Sequence, residues 1–190
     1  MAQRSNRTKE KLILAGIAEI SVHGVTEFSI RRVASACNVS CAAPYKHFKD
    51  KREFIAAIIE HVNEQWYTRQ MEVLAGCTDS LRQRIVEVCV QYVVFLMEHP
   101  HYREVLMLKD NQFDNLYHRV RGQMSSTMQQ MQAQFFAQAG YDDLTIRRKL
   151  LLVRSMIFGS IFLFDAGELE YNPETIQLLR LTIDREFDLP

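Results

Sequence analysis

Apolar residues recur at intervals of three and four along nearly the whole chain, and little interrupts them. Seven Gly and four Pro serve all 190 residues. A sandwich or barrel needs tight turns far more often, so the pattern predicts an all-α fold. The hydrophobic share of 47% is ordinary for a globular chain. A chain of this length buries roughly 70% of its unfolded surface, enough for a real core. The most apolar stretch, Leu150 to Phe164, carries Arg154 in its middle and is followed by Asp165. That is no membrane span, which needs about 20 predominantly apolar residues. Leu12-Ile13-Leu14 lies among Glu10, Lys11 and Glu19, so it does not read as a secretory signal. The expected compartment is the cytoplasm, with no membrane partner.

The first helix is expected from about Thr8 to His23, with Ile13, Ile17 and Ile20 inward and Gly24 as its stop. Ser29 can cap a short second helix, Ile30 to about Cys37, with Ile30, Val33, Ala34 and Cys37 inward. Asn38 tolerates the left-handed conformation and can make a sharp turn. Ser40 can cap the next helix, Cys41 to Phe48, with Pro44 near its start. Asp50-Lys51-Arg52-Glu53 reads as a capping box, in which Glu53 reaches back to residue 50. It opens a helix to about Val73 that buries Phe54, Ile58, His61 or Val62, and Trp66. Further helices are expected over Leu81–Glu98, about His101–Leu108, about Phe113–Ala139, Thr145–Asp165 and from Pro173 to near Phe187.

The neutral total charge hides an asymmetry. Residues 1–52 hold ten Lys and Arg against four Asp and Glu, a net +6; the remainder holds thirteen against nineteen, a net −6. A basic head on an acidic body points to a polyanion partner, although charge alone leaves a plain solvated face open. Two short helices joined by a tight turn at Asn38-Val39-Ser40 form a helix-turn-helix. Cys41, Ala42 and Ala43 are small enough to lead into a major groove. Tyr45, Lys46 and His47 follow, and Lys51 stands at a helix start that favours anions. Arg4, Arg7, Ser29, Arg31 and Ser40 complete the candidate DNA-binding set. Ala42 and Ala43 can touch a thymine methyl but cannot hydrogen-bond a base. Lys46 is therefore the main side chain left for base edges, and DNA shape is expected to supply much of the specificity.

VASACNVS from Val33 and YKHFKDK from Tyr45 are similar to the N-terminal domain of the TetR family of bacterial transcriptional regulators. The resemblance covers about residues 8–60. Asn38 stands where that family usually has Gly, and Ala43 where Thr is common. The resemblance implies a three-helix DNA-binding domain, here 1–52, and a C-terminal helical domain for effector binding and dimerisation, here 53–190. It also implies dimerisation through the last two helices.

One basic head reads little sequence, whereas two related by a twofold axis read a palindrome. Thr145–Asp165 is apolar nearly all round, and Leu152, Met156, Gly159, Ile176, Leu179 and Ile183 are the candidate dimer interface. The expected partners are a double-stranded DNA operator, a second copy of the chain and a small-molecule effector. Candidate pocket residues are Tyr92, Phe95, Met97, Met107, Phe113, Met124, Met128 and Met131, although Met at helical spacing also reads as plain core. His118 and Arg121 read as solvent-facing rather than as anion ligands. A repressor is the family tendency.

Enzyme readings find little support, because GxSxG, HExxH, P-loop and GxGxxG motifs are all missing. Cys37, Cys41, Cys77 and Cys89 make no CxxC pair or zinc-finger spacing. Glu98-His99-Pro100-His101 with Glu104 could hold a metal, but a Pro-stopped helix end with solvated His explains it as well. No metal or cofactor is expected. The rival from another class is a helical adaptor of similar fold that binds a protein partner instead of DNA.

Overall fold

The computed structural model describes residues 2–77, 80–107 and 114–188, with side chains over 6–77, 80–103, 105 and 126–188. Among these residues there is no strand. The helices are α1 (Ala2–His23), α2 (Ile30–Ala36), α3 (Lys51–Gly76), α4 (Leu81–Glu98), α5 (Pro100–Met107), α6 (Asp114–Ala139), α7 (Asp143–Asp165) and α8 (Pro173–Asp188), with a 3-10 turn at Pro44–Lys46. By contact they gather into two units: residues 1–65 with 99–123, and 66–98 with 124–190. Helices α3 and α6 each contribute residues to both.

In the first unit, α1 buries Leu12, Ile13, Ile17 and Ile20, the start of α3 buries Phe54, Ile55 and Ile58, and the two helices meet at Gly16. The missing side chain of Gly16 permits the close approach of α1 and α3. A Cβ there would lie 2.6 Å from Ile58 Cδ1 and 3.3 Å from Phe54 Cε2. Helix α5 also packs on α1, and Ser21 Oγ lies 2.8 Å from His101 Nδ1. Gly24, at φ +71°, turns the chain out of α1 while its amide bonds the Ile20 carbonyl.

In the second unit, α4 packs on α7 and α8. Val153, Ile157 and Ile161 of α7 and Leu179, Ile183 and Phe187 of α8 are buried. Phe135 meets Phe187 edge-on at 5.4 Å. Asp142 caps α7 by accepting the Thr145 amide at 2.7 Å, and this bond holds its carboxyl below the usual range. Arg82 of α4 reaches Asp184 and Asp188 of α8, with 2.7 Å from Nε to Asp184 Oδ1.

Replacing Gly16 by Val puts a branched side chain into the packed Ile58–Phe54 contact. The expected cost is about 1–3 kcal/mol from overpacking, measured by urea denaturation. A Gly16→Val variant as stable as the parent would show that α1 and α3 do not depend on this approach.

Candidate functional site

The turn between α2 and the reading segment forms as its residues demand. Asn38 adopts φ +54°, the one non-glycine in the left-handed region among the described residues. The Val39 amide returns to the Ala34 carbonyl at 3.0 Å and closes the turn. Ser29 caps α2 by accepting the Arg32 amide at 3.3 Å.

The segment after the turn departs from the expected helix over Cys41–Phe48. It is a tight turn followed by the 3-10 turn Pro44–Lys46. The cause is Pro44. An α-helix capped at Ser40 would need the residue 44 amide to bond the Ser40 carbonyl, and proline has none. The Ala43 amide takes that carbonyl instead at 2.9 Å, and His47 bonds Pro44 at 2.9 Å, both with 3-10 spacing. The capping box also shifts by one residue: Asp50 accepts the Glu53 amide at 2.9 Å, but Glu53 accepts from Lys49, at 2.7 Å, rather than from residue 50.

Shape is preserved despite the altered backbone. Pro44 and Phe48 point inward and are buried, whereas Cys41, Ala42, Tyr45 and Lys46 are exposed and Ala43 and His47 half-buried. Small side chains and one cation therefore form a single outward edge, with an aromatic ring beside them. Such an edge can enter a groove without a clash and can donate to base edges or phosphates.

The basic residues divide. Arg7, Arg31, Lys46 and Lys49 are exposed. Arg32 is held by Glu19, with Nε 2.7 Å from Oε1, and by the Glu27 carbonyl. Glu19 is 9% exposed and also accepts the Ser29 amide. Lys51 donates to the Thr26 carbonyl at 2.9 Å and so ties the start of α3 to the loop before α2. Arg4 lies outside the described side chains.

In the second unit, Tyr92 and Phe95 pack against Trp66, with centroids 4.8 and 5.4 Å away. Phe95 and Met131 are buried, and Tyr92, Met97 and Met128 half-buried. Met107, Phe113, Met124, His118, Arg121 and Glu104 lie outside the described side chains. His99 stacks on Tyr102 while His101 meets Ser21.

On α8 the sequence reading chose the inward stripe. Leu179 and Ile183 are buried within the single chain, because α4 and α7 cover that face. Ile176, Met156 and Gly159 are half-buried, and Leu152 is exposed. Besides Leu152, the outward apolar residues are Leu144, Leu151, Phe158 and Phe162 on α7 and Leu178 and Leu181 on α8, with Phe162 67% exposed. Alternation of Leu178 and Leu179 shows why α8 misleads: it is apolar on two faces.

Sequence reasoning missed two polar features. Lys149, fully buried, donates to the Glu186 carbonyl at 2.7 Å and lies over the Tyr141 ring at 4.8 Å. Burial pushes its ammonium below the ordinary lysine range, and Glu186 only partly offsets this. The second is a chain of hydrogen bonds. Arg69 of α3 donates to Gln91 of α4 at 3.0 Å, Gln91 to Glu87 at 2.9 Å, and Arg180 of α8 grips Glu87 through Nε at 2.9 Å.

A capped helix, a left-handed turn and an exposed small-residue edge on a buried aromatic mount make a helix-turn-helix domain of the DNA-binding regulators. The model for bacterial regulatory proteins of the tetR family matches residues 12–58. The chain therefore carries a helix-turn-helix domain of the TetR type over residues 12–58. It is 25% identical over 182 residues to the nucleoid occlusion factor SlmA of Vibrio atlanticus, covering 90% of each chain. The match to the same factor of Vibrio campbellii spans 66% of that protein. It is also 25% identical over 130 residues to the probable acrEF/envCD operon repressor of Escherichia coli K12, covering 63% of this chain and 53% of that one. In fold it resembles a TetR family transcription regulator of Marinobacter aquaeolei, with TM-score 0.80, 18% identity and 98% of each chain covered.

Glu87 makes the link from α4 to α8 sensitive to acid. Burial raises its carboxyl, but hydrogen bonds from Arg180 and Gln91 and the Arg180 charge outweigh that and hold it below the usual range. A carboxyl depressed on folding stabilises above its unfolded value and loses that contribution as pH falls through the folded one. Glu87→Gln is expected to cost about 1 kcal/mol at neutral pH. The gap should narrow in urea titrations as pH falls below the unfolded glutamate value of ~4.3. A gap independent of pH would assign the loss to packing.

Proposed function

We propose that the chain is a cytoplasmic repressor that binds a palindromic operator as a homodimer and releases it when a small-molecule effector occupies the body. The observation that carries this reading is the exposed Cys41–Ala42–Tyr45–Lys46 edge, fixed from behind by Pro44 and Phe48. In it, residues 1–52 read DNA and residues 53–190 hold the effector and the pairing face.

Lys46 contacts base edges, with Cys41 a weak donor, and Ala42 and Ala43 meet thymine methyls. Arg4, Arg7, Arg31, Tyr45, His47 and Ser40 take phosphates and set register. Ser29, its oxygen used in capping, keeps its O–H for the same purpose, and Lys51 keeps two of its three N–H donors beyond Thr26. Pairing uses Leu151, Phe158 and Phe162 with Leu178 and Leu181, joined by Leu152, Met156 and Gly159. The aromatic and Met residues around Trp66 supply the apolar wall for the effector. Helix α3 runs unbroken from the capping box into the body, so an effector that favours a different setting of α3 lowers the population with both heads at groove spacing.

A second reading, in which the body receives a protein instead of a small molecule, keeps the DNA-binding head; the likeness to a nucleoid occlusion factor over 90% of the chain leaves room for it. Salt dependence separates both from an adaptor that binds no DNA, since a DNA reader loses affinity steeply as salt rises.

Selection of bound sites from random DNA is expected to return a palindrome with a defined half-site spacing. Lys46→Ala should then cost about 1–3 kcal/mol and relax preference at one position of each half-site. Equal weakening on every sequence would make Lys46 a phosphate contact only. Phe162→Asp should give a helical monomer in sedimentation, with DNA affinity lowered by about a hundredfold or more through loss of the second head. A Phe162→Asp protein that still sediments as a dimer would move the pairing surface elsewhere.

A further inference from the structure

Gln70 lies on α3 within the second unit and is 1% exposed, yet neither its amide nitrogen nor its amide oxygen has a hydrogen-bond partner. Trp66 one turn before it and Leu74 one turn after it are both buried, so the amide sits in an apolar stripe. A buried amide left unpaired loses its hydration without return, and native interiors rarely retain one without a reason. Trp66 meets Tyr92 and Phe95, placing aromatic walls within one turn of the amide. We propose that Gln70 reads the polar group of the effector, and that the effector is an uncharged amide or lactam on a flat apolar body. This rests on the reading of residues 53–190 as an effector domain.

The chemistry follows from what a glutamine offers. Its carbonyl accepts and its NH2 donates, so its complement presents one donor and one acceptor side by side. A carboxylate has no proton for the Gln70 oxygen and would enter an apolar stripe as an unpaired charge. The neighbouring Arg69 does not alter this. Its guanidinium is held by Gln91, and consecutive helical side chains do not face each other, although its Nε–H is also buried without a partner.

Trp66 is the single tryptophan of the chain, so its fluorescence reports on this location. The full-length protein is titrated with millimolar benzamide, with benzoate and with toluene as matched probes. The Gln70 side-chain NH2 resonance is followed alongside Trp66 emission, and affinity for the selected operator is measured with each probe. Benzamide is expected to saturate both signals about tenfold more tightly than either analogue and to weaken operator binding. Gln70→Leu should erase that preference while raising the melting temperature of the unliganded protein, because an unpaired buried amide has been removed. The Tm readout shows that the variant folds.

Four results would overturn the assignment. They are no saturable benzamide response, a preference for benzoate, benzamide binding that leaves operator affinity unchanged, and a Gln70→Leu protein that is less stable than its parent. Failure of the effector-domain reading looks different. A protein that binds no DNA in the absence of any probe loses the repressor reading on which an effector domain depends, whereas tight operator binding with a silent benzamide arm loses only the role of Gln70.

Discussion

The Phe54 ring is the contact on which the head depends. The reading edge is carried on a single 3-10 turn, too short to hold an orientation by its own hydrogen bonds. Phe48, at the end of that turn, stacks on Phe54 with centroids 4.0 Å apart and planes 8° from parallel. Phe28, from the loop before α2, meets the same ring edge-on at 5.4 Å. Each such contact contributes about 0.5–1.5 kcal/mol beyond its buried area. Phe54 stands in the first turn of α3, where Asp50 and Glu53 fix the helix start. One fully buried side chain therefore joins the reading turn, the α1–α2 loop and α3 into one block. Lys51 strengthens the joint, with its ammonium on the Thr26 carbonyl and 6.0 Å from the Phe28 centroid. Any rotation of α3 carries the reading edge with it.

Where the sequence was legible, local chemistry decided the outcome. Gly24, Asn38, Ser29 and Pro173 act at the helix ends they mark, and the α3 stripe buries Phe54, Ile58, Val62 and Trp66 as its spacing requires, choosing Val62 over His61. The failures have another origin. A run such as Leu178-Leu179 offers two apolar faces, and only the position of α4 and α7 decides which is covered. Pro44 looked harmless near a helix start, but the count of available amides made it the residue that turns α into 3-10. The partner of Glu53 moved by one residue because the chain enters α3 from Lys49 in a conformation that no spacing rule reveals. Lys149 and Gln70 were invisible for the same reason: burial of a polar residue on a mixed helix is set by what packs on it.

Net charge overstates the cations available to a polyanion. Arg32 is neutralised by Glu19 and held by a backbone carbonyl, so it stabilises the α1–α2 corner. Its neighbour Arg31 is exposed. Arg32 is exposed as well, so what sets it apart is its tie to Glu19 and not its burial. Lys51 is divided between the two tasks by having more donors than its single carbonyl requires. The count of +6 describes the head correctly as basic, and Lys9, Lys11 and Arg52 are exposed there together with Arg7, Arg31, Lys46 and Lys49.

Like Gln70, Asn63, two turns earlier on α3, has two unpaired amide atoms, but Asn63 is only half-buried, and the buried polar groups elsewhere among the described residues are answered differently. Glu19 receives the Ser29 amide and the Arg32 guanidinium. Lys149 meets a carbonyl and an aromatic face, and although Glu186 Oε1 lacks a hydrogen bond, its carboxylate shares the neighbourhood of that cation. Glu87 is answered by Arg180 and Gln91. In each case the cost of burial is met by charge or by a backbone group in the same fold. Gln70 has no charge to balance, and both of its amide atoms are left without a hydrogen bond. The polar chain from Arg69 through Gln91 and Glu87 to Arg180 begins one residue away from it, and it ends on α8 beside the outward-facing Leu178 and Leu181. A ligand that drew Gln70 into a new hydrogen bond would shift the α3 turn that also carries Arg69. The first bond of that chain, from Arg69 to Gln91, would then change with it.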